Sequence, residues 1–229
     1  MKYTEINQYS QTVLDSSAME VEYMNEKFFE LTQEKQQVII NAALEVFSQN
    51  DYKHAVTDDI AAKAGISKGL LFYYFHNKQS LYTYLFQYAK EFLTREIVKE
   101  QYYELDDFFE VLRYTANMKY GIFRKNPYLL RFSEKVIMQS ESEAGAEIRN
   151  IINEYTKNQY ENFFRHINYD KFREGVDFME IMRMLIWMAE GYMFDLQLKG
   201  KIVDLDELMK EFDQWITVFK RIAYKEEFQ

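Results

Sequence analysis

The segment that decides the fold is residues 56–75, which read VTDDIAAKAGISKGLLFYYF. It predicts two short helices joined by a turn at Gly65, because glycine readily takes the left-handed conformation that ends a helix. Thr57 is expected to cap the first helix through its hydroxyl, and Ser67 the second. Two helices joined in this way are the arrangement that lays one helix in the major groove of DNA.

The second helix is expected to have one buried and one exposed face. Leu71 and Phe75 are four residues apart, so they share a face that should pack on the domain core. The outward positions are expected to carry an exposed aromatic cluster beside a lysine: Phe72, Tyr73, Tyr74 and Lys68. Gly69 lowers helix propensity, and close approach of its backbone to a phosphate is a reason to keep it.

Two interpretations of this segment compete. Helix pairs with a glycine turn also occur as plain packing units, and aromatic residues at helical spacing usually belong to a core. An exposed aromatic cluster favours DNA binding instead. The alternative is a helical protein-interaction module that uses the same cluster to bind a protein partner.

The pattern resembles the DNA-binding domain of TetR-type transcriptional regulators. The matching pieces stand at fixed spacing without a gap: Thr57-x-x-Ile60-Ala61, 64–69 (AGISKG), 71–75 (LFYYF) and 78–81 (KQSL). The resemblance extends roughly from Gln33 to Phe92. It implies an all-α protein with an N-terminal three-helix helix-turn-helix DNA-binding domain and a C-terminal helical domain for ligand binding and dimerisation.

The resemblance also implies which residues meet DNA. Five side chains would contact phosphates or base edges: Thr57, Ser67, Lys68, Tyr73 and Lys78. Gly69 would let the backbone come near, and Leu70 would face the bases, where it could touch a thymine methyl group. Phe72 stands where the family commonly has tyrosine, so that phosphate hydrogen bond is absent. His76 takes an often basic position and adds charge only when protonated.

Composition favours helices and argues against catalysis. The 229 residues include seven glycines, one proline and no cysteine, which leaves little material for hairpins and excludes disulfides and thiolate metal sites. The three histidines lie far apart without a second ligand at i+4, so no metal site is expected. With no nucleophile–base pair and no phosphate loop, we expect neither an enzyme nor a cofactor.

Nothing in the sequence indicates a membrane protein. The longest apolar run, Met184 to Ala189, is far too short for a span. The N-terminus carries acidic residues and lacks the apolar stretch of a signal peptide. A cytoplasmic protein without a membrane partner is expected.

The charge is unevenly distributed and suggests three parts. The net charge is −9, yet residues 32–80, the expected DNA-binding domain, hold five basic and five acidic residues. Residues 1–31 form an acidic extension with two basic and six acidic residues. It either docks on its own protein or is a mobile tail. Residues 81–229 would form the regulatory and dimerisation domain, whose acidity would repel DNA and orient the protein.

Periodicity and breakers predict the remaining helices. A first helix is expected from Thr32 to about Asn50, and a long one from Lys78 to near Tyr102, capped by Asn77. Further helices are predicted over 105–125, 127–139, 144–166, 177–199 and 205–224. Pro127 suits a first helical position, and Gly200 ends the penultimate helix.

The stretch from Met182 to Leu198 is apolar around most of its circumference, so burial on several sides is expected. The family resemblance implies that this helix and the last one pair with their mates in a second subunit, with Gly191 allowing close contact. Glu190 interrupts the stretch. It is either an interface carboxylate bonded to an arginine or tyrosine, or a pocket carboxylate that meets a ligand.

A small-molecule pocket is expected in the C-terminal domain. Its candidate lining residues are Tyr120, Phe123, Trp187 and Glu190, with Met184 and Met188 nearby in sequence. At helical spacing the same aromatic and methionine residues could be ordinary core. The sequence hypothesis is therefore a ligand-responsive transcriptional regulator, a repressor rather than an activator. It would bind a palindromic double-stranded operator as a homodimer and be released by a largely apolar effector.

Overall fold

The computed structural model describes residues 25–138 and 163–229 of the chain. Within these ranges the regular structure is helical, apart from one isolated antiparallel bridge between Phe172 and Tyr224. The all-α fold predicted from the sequence is confirmed.

Nine α-helices lie in the described ranges: α1 Gln33–Gln49, α2 Thr57–Ala64, α3 Lys68–Phe75, α4 Lys78–Ile97, α5 Glu100–Glu104, α6 Phe108–Lys125, α7 Pro127–Met138, α8 Phe178–Leu198 and α9 Leu205–Ala223. Short 3₁₀ turns occupy Glu26–Phe28, Tyr169–Lys171 and Glu226–Phe228.

Contacts divide the described chain into two compact units. The first contains residues 25–94 and 126–138, and the second contains residues 95–125 and 163–229. The domain limits predicted from the sequence, 1–31, 32–80 and 81–229, concern function rather than packing and stay predictions.

The first unit has an aromatic core. Helix α1 packs against both α2 and α7. Phe47 of α1, Phe75 of α3 and Phe132 of α7 are completely enclosed, as is Phe28 from the preceding 3₁₀ turn. Helix α3 packs against α2 and against the 3₁₀ turn, where the Phe75 ring centre lies 4.9 Å from that of Phe28, and its opposite face is free.

The second unit is built around α6 and α9, which pack against each other. Asp107 begins α6: its Oδ1 accepts hydrogen bonds from the backbone N–H of Phe109 at 2.9 Å and of Glu110 at 3.1 Å. Its Oδ2 accepts from Nζ of Lys220 on α9 at 3.1 Å. This buried carboxylate therefore fixes the start of one helix to the end of another.

The long helix predicted from Lys78 to near Tyr102 is wrong only at its C-terminal end. Asn77 caps it as expected, since its Oδ1 accepts from the backbone N–H of Ser80 at 2.8 Å. Helix α4 nevertheless ends at Ile97, and Lys99 is extended before α5 begins. The break turns Tyr102 into the core of the second unit, where it is fully buried.

The other helix boundaries agree with the sequence to within a few residues. Helix α6 begins at Phe108 rather than 105, because Asp107 supplies the cap. Helix α7 begins at Pro127 as predicted, and Gly200 follows α8 with φ of 65°. The end of the 127–139 helix, residues 144–162 of the predicted 144–166 helix and most of the 1–31 extension lie outside the described residues.

Candidate nucleic-acid interface

The turn between α2 and α3 has the geometry that the sequence predicted. Gly65 has φ of 67°, in the left-handed region. Its N–H donates to the carbonyl of Ala62 at 3.1 Å, and the N–H of Ile66 donates to the carbonyl of Ala61 at 3.0 Å. This is the Schellman pattern, which ends α2 at Ala64; α3 begins at Lys68, after three connecting residues.

Ser67 caps α3 as predicted, because its Oγ accepts from the backbone N–H of Leu70 at 3.1 Å. The cap predicted for Thr57 is wrong. Helical bonding begins one residue earlier, with the N–H of Ile60 donating to the carbonyl of Val56. Thr57 is therefore the first residue inside α2, and its hydroxyl makes no capping bond.

Helix α3 has a core face and a free face. Leu71 and Phe75 are completely buried, as their spacing predicted. The free face carries Ser67, Lys68, Gly69, Leu70 and Tyr73, all exposed, with Phe72 half-buried at its margin. The Tyr73 ring is 50% exposed, a large aromatic surface to leave in water.

The predicted aromatic cluster is wrong for one of its three members. Tyr74 is only 7% exposed. Its ring lies 5.8 Å from that of Phe28, and its carbonyl accepts from the backbone N–H of Asn25 at 2.7 Å. The segment preceding α1, which the sequence assigned to a separate extension, covers Tyr74.

Lys68 is paired within the chain. Its Nζ donates to a carboxylate oxygen of Asp58 on α2 at 2.7 Å, and both side chains are largely exposed. An exposed ion pair stabilises the folded state by at most about 1 kcal/mol. Lys68 can therefore exchange Asp58 for a phosphate at little cost.

The two remaining predicted DNA contacts follow α3. His76 is exposed and has φ of 57°, the left-handed region that a non-glycine residue rarely adopts. Lys78 is half-buried; its Nζ donates to the carbonyl of Lys53 at 3.2 Å and lies 4.9 Å from the centre of the Tyr52 ring. Burial lowers the pKa of Lys78. The assignments of both residues to DNA stay predictions.

Gly69 stands on the free face near the start of α3. A Cβ at this position would meet only Oγ of Ser67, at an ordinary 3.9 Å. Within the unit, therefore, nothing requires glycine for packing. Free backbone amides at a helix start bind phosphate well, and the absence of a side chain keeps them accessible.

The predicted pocket residues lie on α6 and α8 of the second unit. Tyr120 and Phe123 are half-buried, and the Tyr120 hydroxyl donates to Asp206 of α9. The Trp187 indole is 61% exposed, with the guanidinium of Arg183 5.9 Å from its centre. Burial raises the pKa of Glu190, for which the described residues provide no ion pair.

A cavity of about 450 Å³ lies between α6 and α9 of the second unit. Its lining residues are Arg113, Asn117, Met209, Lys210, Phe212, Asp213 and Gln214. None of the four predicted pocket residues is among them, and their assignment to an effector pocket stays a prediction.

Helix α8 was expected to be buried on several sides, and for a single copy of the chain this prediction is wrong. Only Ile181 and Leu185 of this helix are buried. One face remains exposed and consists of Met184, Trp187, Met188, Phe194 and Leu198, with Val218 and Ile222 exposed on α9. Gly191 lies on that face of α8, and a Cβ there would meet nothing within 4 Å.

No helix in 25–138 or 163–229 has the length and hydropathy of a membrane span. In the same ranges, no group of three histidine or carboxylate side chains is placed to hold a metal ion.

Comparison with known families identifies the N-terminal domain. Residues 39–85, from within α1 into α4, match the model of bacterial regulatory proteins of the tetR family. This part of the chain is a TetR-type helix-turn-helix DNA-binding domain, and the resemblance stated from the sequence is confirmed.

Several solved structures are similar in fold to most of the chain, beyond the N-terminal domain. FadR, a fatty acid degradation regulator from Bacillus halodurans, is 24% identical, with a TM-score of 0.64 over 79% of this chain and 96% of that one. A TetR family transcriptional regulator from Chloroflexus aurantiacus J-10-FL is 23% identical, with a TM-score of 0.53 over 89% and 100%. SmeT, solved as a triclosan complex, is 17% identical, with a TM-score of 0.67 over 86% and 95%. No curated protein sequence matches the chain.

Proposed function

We propose that the protein is a ligand-responsive transcriptional repressor that binds a palindromic operator as a homodimer. The observation that carries this proposal is the free face of α3. Its exposed Lys68, Gly69, Leu70 and Tyr73 combine a cation, an open backbone, an apolar contact and an aromatic ring. Leu71 and Phe75 anchor the opposite face, so the free face is held rigidly for insertion into a major groove.

The exposed apolar face of α8 and α9 supports the homodimer. Trp187, Phe194, Leu198 and Ile222 are each more than half exposed, a costly arrangement for a chain that stays alone in water. The open position at Gly191 would let a second backbone approach closely. Two copies joined through this face would present two α3 helices to half-sites about 34–36 Å apart.

Two similar structures support an effector. SmeT was solved with triclosan, and FadR is named for fatty acid degradation. By analogy, a largely apolar molecule would bind the second unit of this chain, in a pocket that includes Tyr120, Phe123 and Glu190. It would bind preferentially to a conformer of the dimer in which the two α3 helices are spaced differently from the half-sites. Binding of the effector would thereby lower the affinity for the operator. The protein would act by binding rather than catalysis, in the cytoplasm.

The test is a salt titration of the full chain on duplexes selected from genomic DNA. We expect tight binding whose logarithm falls linearly with the logarithm of salt concentration. Lys68→Ala should lower affinity by about tenfold and flatten that slope, because a phosphate contact is lost in each subunit. Tyr73→Ala should also weaken binding. Lys201→Ala, which removes an exposed lysine of the second unit, is the matched control and should bind like wild type.

Unchanged binding in both Lys68→Ala and Tyr73→Ala, with the fold intact by circular dichroism, would remove α3 as the reading element. Salt-insensitive association with a protein instead of DNA would favour the interaction-module alternative.

A further inference from the structure

The chain before α1 is anchored on α3, the helix that the proposed function lays in the major groove. The backbone N–H of Asn25 donates to the carbonyl of Tyr74 at 2.7 Å. The Phe28 ring is fully enclosed, and its centre lies 5.8 Å from that of Tyr74 and 4.9 Å from that of Phe75. The hydrogen bond and the buried ring together fix residues 25–28 at the C-terminal end of α3.

This anchor lies next to Tyr73, one of the proposed DNA contacts. The ring centres of Tyr73 and Tyr74 are 5.7 Å apart, and it is the Tyr74 ring that packs on Phe28. Tyr73 is half exposed on the free face of α3, whereas Tyr74 is covered. Residues 25–28 therefore stand at the margin of the surface that would meet the duplex.

The anchored turn carries more acidic than basic charge. Glu26, Lys27 and Glu30 are all exposed. Nζ of Lys27 lies 2.6 Å from a carboxylate oxygen of Glu30, so the lysine of this turn is already paired. Glu26 supplies the excess negative charge. A carboxylate at this margin repels approaching DNA phosphates, whereas an arm that binds phosphate would present an unpaired cation.

The chain before Asn25 adds negative charge near the same point. Residues 20–24 contain Glu20 and Glu22 and no basic residue. An extended chain spans at most about 3.6 Å per residue, so the backbone of Glu22 lies within about 11 Å of Asn25 and that of Glu20 within about 18 Å. Charges are screened over about 8 Å at physiological salt. Covalent geometry alone thus keeps both carboxylates within one to two screening lengths of the anchor.

We propose that residues 20–30, the acidic segment, are autoinhibitory: their charge opposes the approach of DNA phosphates to the free face of α3. This inference rests on the proposed function and adds a regulation of the same site. A matched operator offers base contacts that offset the repulsion, whereas random-sequence DNA is held by phosphate attraction alone. The acidic segment therefore keeps the protein off random-sequence DNA.

Fluorescence anisotropy of the full chain with a random-sequence duplex and with the selected operator tests the proposal. Glu20→Gln, Glu22→Gln and Glu26→Gln are combined in a neutral variant, and the same residues are changed to lysine in a reversed variant. At low salt the neutral variant should bind the random-sequence duplex about tenfold more tightly than wild type. The reason is that one like-charge pair about 10 Å apart in water weakens binding about twofold, and three carboxylates are removed from each subunit.

Charge and salt separate an electrostatic role from a structural one. The reversed variant should gain about as much affinity again, and both gains should shrink as salt is raised, because added salt screens the repulsion. A structural role of the three carboxylates would give an effect that neither grows from glutamine to lysine nor depends on salt. Thermal unfolding checks that each variant keeps the fold.

The matched control combines Glu174→Gln, Glu226→Gln and Glu227→Gln, which removes three exposed carboxylates from the second unit. It has the same net charge as the neutral variant and should bind the random-sequence duplex within about twofold of wild type. An equal gain in the control would show that only total charge matters, and would overturn the assignment to the acidic segment.

Three results for the neutral variant would also overturn the proposal: unchanged affinity for the random-sequence duplex, weaker binding, or a gain that stays undiminished at high salt. In each case, tight operator binding by wild type shows that the proposed function stands. If neither wild type nor the reversed variant binds any duplex, the proposed function is wrong, and this inference is wrong with it.

Discussion

Ser67 and Thr57 carry the same kind of hydroxyl at the starts of neighbouring helices, yet only one of them caps. Oγ of Ser67 accepts from the N–H of Leu70, whereas Thr57 lies inside the first turn of α2 without such a bond. The sequence treats both as caps because the residue type is favourable in each case. The difference arises from where the incoming chain first takes helical dihedral angles, which the residue type alone does not fix.

Replacing each hydroxyl residue by alanine separates the two roles. Ser67→Ala should lower the free energy of unfolding by about 1 kcal/mol, because an N–H at the start of α3 loses its acceptor. Thr57→Ala should change it by less than about 0.5 kcal/mol. Urea denaturation followed by circular dichroism measures both. Equal losses in the two variants would contradict the cap assignment.

Tyr73 and Tyr74 show the limit of sequence reasoning at a single residue. Helical spacing correctly separates Leu71 and Phe75 from the free face of α3. Whether Tyr74 is exposed depends on Phe28, which arrives from a segment 46 residues earlier in the chain. Such a long-range contact leaves no periodic signal in α3.

Among the helices, the most consequential link is that between α6 and α9 at Asp107. The side chain is buried, caps α6 and accepts a hydrogen bond from Lys220, while Lys171 lies 3.6 Å from the same oxygen. The hydroxyl of Tyr224 accepts from the N–H of Phe108 at 3.1 Å in the same place. The ends of two helices and the loop before α8 therefore meet at one carboxylate.

Asp107→Asn should lower the free energy of unfolding by about 2 kcal/mol, since it leaves two largely buried lysines without their shared anion. The matched control is Asp213→Asn. It breaks the pair of Asp213 with Arg113, which has an N–O distance of 2.7 Å and lies near the surface. That substitution should lower the free energy of unfolding by less than about 1 kcal/mol. A control loss as large as that of Asp107→Asn would contradict this explanation.

Local signals predicted most of the helices, and tertiary packing decided the rest. Pro127, Asn77 and Gly200 mark boundaries by their own backbone or capping chemistry, so the sequence locates them well. The end of α4 is different. Residues 98–102 carry no strong breaker, and the helix stops because Tyr102 enters the core of the second unit.

In the candidate site, too, some features follow from local sequence and others from contacts between helices. The glycine turn, the Ser67 cap and the buried pair of α3 are local and were predictable. The ion pair between Lys68 and Asp58 joins two helices across the turn, so no local pattern within one helix predicts it.

For the molecule as a whole, the exposed face of α8 and α9 decides whether the chain acts alone. The hydrophobic effect favours covering such a face, and a second copy offers an identical apolar face by two-fold symmetry. The resulting dimer would also set the spacing of the two α3 helices. Under the proposed function, DNA affinity would therefore depend on a face remote in sequence from the helix-turn-helix.

Phe194→Glu should weaken the dimer by about a hundredfold or more, because each interface would bury an unpaired charge. Analytical ultracentrifugation measures this change, and operator affinity should fall with it. Val38→Glu is the matched control, since Val38 is an exposed apolar residue of α1 in the first unit. It should leave the oligomeric state unchanged. A wild-type protein that sediments as a monomer at high concentration would contradict the proposed interface.

The proposed function requires two copies of the free face of α3 to enter neighbouring turns of one duplex. Hydroxyl-radical footprinting of the full chain on its selected operator measures this arrangement. We expect two protected segments on one face of the duplex, about one helical turn apart and related by the palindrome. Both should disappear together in Lys68→Ala at a protein concentration that saturates wild type. A single protected segment, or two that persist unchanged in Lys68→Ala and Tyr73→Ala, would contradict it.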